Sequence, residues 1–426
     1  MTLRLPRAAL IAVGDELLSG ATTDLNSPYC AARLTELGFE VWRKVVVGDD
    51  EEPLAAVVAE ALAQAEVVVV TGGLGPTLDD MTRHAVARAV ERELEHSEEA
   101  WQGIRTWWTR RGIEIPAANR RQALVPAGAE VLPNEVGTAP GFAVEHGEAR
   151  LYSLPGPPFE MKAMFEAQVA PRAAADRGRG GHGVQRLQRF HLYGVSESVF
   201  ADSVGAWMER DANPLLGCSV KEGVLTASLR ARGATEAEAD QLLAERAAAF
   251  RERFGASIFS AGEDRVEQVV GRLLIERGVT VSFAESCTAG LACSLLGRVP
   301  GISAVLGTSF VTYSDAAKQE QLGVPGELLR EHGAVSEPVA AALAEGAALR
   351  AGARAAVGIS GIAGPGGGTP EKPVGLVCFA TTLDGATRAE TRQLPPTSRD
   401  HVRAVAARTA LLLLWRRIQD EAPASR

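Results

Sequence analysis

Cysteine is scarce in this 426-residue chain. The five residues (Cys30, Cys218, Cys287, Cys293 and Cys378) are odd in number and scattered, with no CxxC pair. That excludes a disulfide framework and a thiolate zinc site, and it suits a reducing cytoplasm. Long apolar runs are lacking as well. Ala8–Val13 meets Asp15-Glu16 at once, too short for the core of a signal peptide, and Arg416-Arg417 ends Ala410–Trp415 well short of a span. A cytoplasmic location without membrane contact is expected. No basic block occurs and the formal net charge is −9, so broad electrostatic binding of nucleic acid is not expected. Repeats of roughly 20–50 residues are absent.

What is there is ordinary globular composition, 46% hydrophobic and 23% charged. The length exceeds one core, so two or three domains are expected. The first third alternates strand patterns (Ala8–Val13, Glu40–Val47, Glu66–Thr71) with helix patterns (Pro28–Leu37, Pro53–Ala65, Asp79–Arg92). This predicts a mainly parallel sheet covered on both faces, with ligands beyond the carboxyl ends of its strands. A polar, glycine-rich linker pattern, Arg177–Gly183, follows. Residues 186–255 then read β-α-β-β-α, a small α+β domain, with a second boundary near Ala256–Asp264. The last third is a second α/β domain. It has strands at Val279–Ala284, Ala304–Thr312, Ala355–Ser360, Val374–Thr382 and Thr387–Leu394, the last two forming a hairpin through Leu383-Asp384-Gly385. The fold class is thus α/β: two three-layer domains, residues 1–175 and 264–418, joined by the α+β module.

Three segments of the last third carry chemistry. Ala284-Glu285-Ser286-Cys287-Thr288-Ala289-Gly290 puts a hydroxyl on a strand-to-helix turn, beside backbone N–H groups that favour negative charge. Tyr313-Ser314-Asp315-Ala316-Ala317-Lys318 offers a lysine that burial would turn into a base. Ser286 is the candidate nucleophile and Cys287 the alternative. Lys318 is the candidate base, since no histidine lies close in sequence, and Tyr313 relays or orients the proton. In Ser360–Thr369 the glycines, with Gly361, Gly364, Gly366 and Gly367 foremost, let amides converge on a phosphate or carboxylate. Thr288 and Arg399 are candidates to complete that substrate site. Each segment alone has a plainer reading: an N-cap serine, a surface Tyr–Lys pair, a mere turn. Each also follows a strand of one α/β domain, and together they suggest a Ser–Lys amide hydrolase.

The segments AESCTAG, FVTYSDAAKQEQLGV, HGAVSEPVA and ISGIAGPGGGTPEKPVG resemble the nicotinamide-nucleotide amidase domain, over residues 264–415. That resemblance implies hydrolysis of nicotinamide mononucleotide to nicotinate mononucleotide and ammonia without a cofactor. It implies Ser286 as nucleophile and Lys318 as base, supported by Tyr313, Ser360 and Arg399. Members often carry Thr where Ser360 stands and Gly where Ala289 stands, and Pro396–Asp400 replaces a glycine turn before the last helix.

In the first domain, Gly72-Gly73-Leu74-Gly75 and Thr77 end a strand where a phosphate could be approached closely. Asp79 and Asp80, joined by Asp15 and Glu16, offer hard ligands for a divalent cation bridging phosphates. For Asp79 capping of a helix is the competing reading. VGDELLSG, TGGLGPTLDD, NRRQALVP, PNEVGTAPG and LPGPPFEM resemble the molybdopterin-binding fold of the MoaB/MogA type. More closely, the order of domains resembles the CinA family of competence/damage-inducible proteins, with a KH-like middle module. This implies a metal-dependent (Mg, Mn or Co) ADP-ribose pyrophosphatase, with Asn119, Arg120, Asn134, Gly137 and Thr138 lining the pocket. A molybdopterin-type binder or a non-catalytic adaptor in competence and recombination, touching a recombination protein, are the rival implications. The middle module lacks a GxxG loop and carries an acidic helix, Glu236–Glu245, so it reads as a spacer or a homodimer contact.

Overall fold

The computed structural model describes residues 4–177 and 183–420; residues 178–182 of the expected linker lie outside them. The chain divides into two compact units, residues 1–187 with 230–246, and residues 188–229 with 247–426. Mixed α/β sheets and helices build both large domains, and a small α+β module lies between them in sequence.

The amino-terminal strands are β1 (Arg7–Val13), β2 (Glu40–Val47), β3 (Val67–Thr71), β4 (Leu94–His96), β5 (Leu124–Pro126), β6 (Glu130–Leu132), β7 (Gly141–His146) and β8 (Ala149–Leu154). Six of them form one sheet in the order β2-β1-β3-β8-β7-β6. The run of valines in β3 is entirely buried because it has helices on both sides. Val68 and Val70 pack with Leu54, Val58 and Val86, whereas Val67 and Val69 pack with Cys30, Leu34 and Phe165. Period-two alternation thus feeds two cores, each valine contributing about 2 kcal/mol. β1 pairs in parallel with both β2 and β3, which makes the β1/β3 boundary a topological switch point.

The middle module holds β9 (Val184–Leu192), β10 (Leu215–Lys221), β11 (Val224–Gly233) and β12 (Ile258–Ala261), in the order β10-β11-β9-β12. Phe190 stacks on Phe250 with ring centroids 4.6 Å apart. Ile258–Ala261, read from sequence as part of a boundary, instead pairs with β9 as an edge strand.

The last domain has β13 (Val281–Glu285), β14 (Phe310–Val311), β15 (Ala355–Gly361), β16 (Leu376–Leu383) and β17 (Ala386–Gln393), in the order β14-β13-β15-β16-β17. β13 is parallel to β14 and β15, so a second switch point falls between β13 and β15. β16 and β17 form the expected hairpin, its turn residues Asp384 and Gly385 both at positive φ. Helices Val266–Arg277 and Arg399–Asp420 cover one face with Phe283, Val357 and Ile359, while Glu337–Ala351 covers the other with Ala284 and Ala356.

Three local expectations are corrected. The helix expected at Asp79–Arg92 runs only from Thr82 to Ala89, with Met81 at its N-cap, because Asp80 folds back onto the preceding loop. The strand expected at Ala304–Thr312 begins as a 3₁₀ turn, Ile302–Ala304, makes a single bridge from Leu306 to Val281, and forms a ladder at Phe310–Val311. Helix Glu98–Thr109 and strands β4 to β8 occupy a stretch for which the sequence suggested no elements. Among the described residues no helix is long and apolar enough to cross a membrane.

Candidate active site

Ser286 follows the last residue of β13, and its amide donates to the carbonyl of Ile359 on β15 at 3.0 Å. The turn then closes locally: the Ala289 amide donates to the Ser286 carbonyl at 3.1 Å and the Leu291 amide to the Thr288 carbonyl at 3.2 Å. Ala289 is held at φ 52, a left-handed conformation that an alanine adopts only when its surroundings impose it. The helix that follows, Leu291–Leu296, does not offer its N-terminal amides to a substrate. Buried Glu285 already accepts from Ala292 and Cys293 at 3.1 and 2.8 Å. A carboxylate completes the cap where an anion site was expected. Among the described residues the amides of Cys287, Thr288 and Gly290, all within the turn, donate to no other residue.

Lys318 is 1% exposed, in helix Asp315–Leu322, reached from the end of β14. β14 pairs with β13 at Glu285↔Val311, and the Thr312 amide donates to the Glu285 carbonyl. The two segments therefore leave neighbouring parallel strands at the same edge. Lys318 Nζ donates to the Tyr313 carbonyl at 3.2 Å and lies 3.6 Å from the exposed Asp315 carboxylate. Burial pushes its pKa below the ordinary lysine value, while Asp315 and the nearby Cys287 push the other way. Among the described residues no hydrogen bond joins Nζ to Ser286. Cys287 is buried and its thiol is pushed up to about 12, chiefly by desolvation, which removes the thiolate a cysteine nucleophile needs.

Tyr313 and Arg399 form the rim. Arg399, at the start of the last helix, donates to the Tyr313 hydroxyl at 2.5 Å and to the Gly364 carbonyl at 2.6 Å. The phenol is thus tied to the guanidinium, and among the described residues no hydrogen bond joins it to Lys318. Ser360 is 1% exposed and donates to the Ala334 carbonyl at 2.6 Å, a structural use of the hydroxyl. Thr288 is fully buried, its hydroxyl unpartnered, so its side chain faces the interior. The glycine loop behaves differently. Among the described residues the amides of Gly364, Gly366, Gly367 and Gly368 donate to no other group, and the latter three residues are exposed. Gly361 remains a strand residue paired with Val377. Lys372 fastens the loop by donating to the carbonyls of His332 and Val335 at 2.6 and 2.7 Å. Sequence reasoning missed Glu285, Lys372 and Arg403; only Arg403 carried a signal, four residues after Arg399 on one helix face.

In the amino-terminal domain Gly72 leaves β3 at φ 103, and a Cβ there would collide with the carbonyl oxygen of Val13. Asp80 accepts from the amides of Gly75 and Thr77 at 2.7 Å each and from the Thr77 hydroxyl. Buried Arg83 donates to the carbonyls of Leu74 (2.5 Å) and Gly75 (3.2 Å), and desolvation lowers its pKa to about 10, against the pull of Asp80. Gln122 donates to Leu74 as well and links Asn119 and Thr138 to this loop. Asn134 accepts from the Gly137 amide and donates to Glu160. Arg120 is turned away, over the Trp101 ring at 5.7 Å. Gly73 packs beside Thr82, whose amide donates to its carbonyl.

The proposed metal ligands do not make a cage. The Asp15 amide donates to the Asp49 carboxylate at 2.9 Å and the Asp49 amide to the Asp15 carboxylate at 3.2 Å. Burial first, then repulsion from Asp15, Glu16 and Asp79, raises the pKa of Asp49. Asp79 is exposed, and its carboxyl is held below the ordinary range by the Thr77 hydroxyl. Asp80 is committed to the loop. Among the described residues no three His, Cys, Asp or Glu side chains converge as a metal site requires. Arg83, Gln122, Glu160 and Asp49 were not foreseen; Arg83, three residues before Val86 in an apolar stripe, carried a burial signal.

Residues 263–418 match the family model described as CinA C-terminal domain, residues 188–260 the damage-inducible protein CinA KH domain, and residues 9–175 a molybdopterin binding domain. A competence-damage inducible protein of Symbiobacterium thermophilum is 46% identical, covering 96% of this chain and 98% of its own. A CinA-like protein of Anaeromyxobacter sp. is 42% identical, covering 95% and 98%. The crystal structure of competence/damage inducible protein CihA from Agrobacterium tumefaciens is 41% identical, with a TM-score of 0.34, over 36% of this chain and 95% of that one.

Proposed function

The chain belongs to the CinA family, and on that premise we propose that its carboxy-terminal domain is an amidohydrolase converting nicotinamide mononucleotide to nicotinate mononucleotide and ammonia. The observation that carries this reading is Lys318. A lysine 1% exposed, its charge disfavoured by burial, stands at the strand edge that also bears a serine on a constrained turn. A structural lysine would be expected to find a carboxylate in the interior; among the described residues this one has a carbonyl and an exposed Asp315 as its polar partners. A non-catalytic adaptor has no use for such an amine.

The steps follow from the parts. Ser286 Oγ attacks the carboxamide carbon, a C–O bond forms, and the hydroxyl proton passes to neutral Lys318 Nζ. The oxyanion meets the unpartnered amides of Cys287 and Thr288. The C–N bond then breaks, with the Lys318 proton leaving on ammonia. Water attacks the ester and gives its proton to Lys318, which returns it to Ser286 as the acid departs. The approach of Oγ to Nζ is expected to tighten on substrate binding, as catalytic contacts in free enzymes often do. The open amides of the glycine loop suit the substrate phosphate, with Arg399 at the rim.

For the amino-terminal domain the supported reading is narrower: binding of a ligand at the β1/β3 switch point through groups other than the Gly75 and Thr77 amides, which Asp80 already occupies. The carboxylates do not fit a divalent ion as they stand, so no pyrophosphate cleavage is derived for it. Ammonia release from nicotinamide mononucleotide by the full chain, compared with Ser286→Ala and Lys318→Met, tests the main reading. Loss in both variants is expected, and undiminished release in both would refute it.

A further inference from the structure

We propose that Arg403 is a positioning residue for amide hydrolysis, acting as a clamp on the nucleophile turn; this rests on the amidohydrolase reading above. Arg403 Nη2 donates to the Thr288 carbonyl at 3.2 Å, across 115 positions of sequence. That carbonyl belongs to the peptide leading into Ala289, the residue forced to φ 52. Without an outside hold, this alanine would relax towards negative φ and rotate the peptides on either side of it.

Those peptides matter because of where their amides point. The Ser286 carbonyl is taken by Ala289, and the Thr288 carbonyl by Leu291 and Arg403. With both carbonyls fixed, the Cys287 and Thr288 amides, which donate to no other group among the described residues, are fixed in direction. They are the donors left for an oxyanion, since Glu285 has consumed the helix amides. Arg403 sits one helical turn beyond Arg399, which grips Tyr313 and Gly364. One helix end therefore registers three segments of the site, and Arg403 is the member that reaches the nucleophile. Its guanidinium is half-buried, and among the described residues its one ion-pair partner is the exposed Asp400 at 3.3 Å, so an ion pair does not explain its placement.

The test compares full-length wild type with Arg403→Met and Arg403→Lys. In Arg403→Met, kcat for ammonia release is expected to fall about 10- to 100-fold with KM within about threefold, because misdirected oxyanion donors are felt only in the transition state. Arg403→Lys should recover part of the loss, since an ammonium can still donate to the carbonyl. Amide hydrogen exchange over residues 286–291 should quicken in Arg403→Met. An unchanged kcat, or a raised KM with kcat intact, overturns the proposal; the second result would make Arg403 a substrate contact. If wild type releases no ammonia, the substrate reading fails separately. The clamp is then judged by modification of Ser286 with phenylmethylsulfonyl fluoride: slower reaction in Arg403→Met supports it, and equal rates overturn it.

Discussion

The loops Gly72–Thr77 and Ser360–Thr369 both leave a central parallel strand beside a topological switch point, yet they treat their amides differently. In the amino-terminal loop Asp80 occupies the amides of Gly75 and Thr77, and Arg83 binds the carbonyls of Leu74 and Gly75. The loop is closed on itself by a carboxylate and a buried cation. In the carboxy-terminal loop the glycine amides stay open and the fastenings come from outside, through Arg399 and Lys372. A glycine-rich strand end is therefore not one kind of site. What decides is whether a side chain within the loop has already taken the place of the anion.

Each contrast can be broken by substitution. The largest effect is expected at the carboxy-terminal site. Ser286→Ala and Lys318→Met should each lower kcat for ammonia release by about 10³-fold or more, and the double variant should be little worse than either single one. Additive losses would mean that the two residues do not act as a unit. Next comes the self-closed loop. Arg83→Met leaves the Gly75 carbonyl without its side-chain donor, the Leu74 carbonyl with Gln122 alone and Asp80 without the nearby cation, and should cost the amino-terminal domain about 2–4 kcal/mol in urea unfolding. A midpoint within error of wild type would show that the loop holds without its arginine.

A smaller effect is a matter of sign. Lys318 has its pKa lowered by burial and partly restored by Asp315. As a base it works when neutral, so activity should rise with pH through its pKa. Asp315→Asn removes the group that favours the proton and should move that limb to lower pH. A shift to higher pH would contradict the assignment of Lys318 as the base. The smallest effect is at Ala289. Replacement by Gly should relieve left-handed strain and stabilise the carboxy-terminal domain by about 0.5–1 kcal/mol, read from thermal unfolding. A lower midpoint would mean that the turn is not strained.

Much of the architecture was legible because burial on two faces writes itself into composition. Val67–Val70 reads as a central strand, and Leu383-Asp384-Gly385 between two strand patterns reads as a tight turn. The stretch from Glu98 to Leu154 was not legible: its strands are short, and β5 and β8 depend on partners far back along the chain, β4 and β3. Asp79-Asp80 misled for a related reason. An acidic pair before a helix looks the same whether it caps the helix, binds a cation or folds back on a glycine loop. Only the distance from Asp80 to Gly75 separates these cases.

Residue types and order by themselves determined the two α/β domains, the smaller module between them, and the segments bearing Ser286, Lys318 and the glycine loops. These follow from local periodicity and from chemistry carried within a few residues. Tertiary structure alone decided which polar groups are spent and which remain. Glu285 consumes the helix amides, Ser360 is bound to Ala334, Arg399 ties Tyr313 to Gly364, and Arg403 holds Thr288. A hydrogen bond between positions a hundred residues apart leaves no periodic trace in sequence. Burial, which sets the charge of Lys318, is likewise a property of everything packed around it.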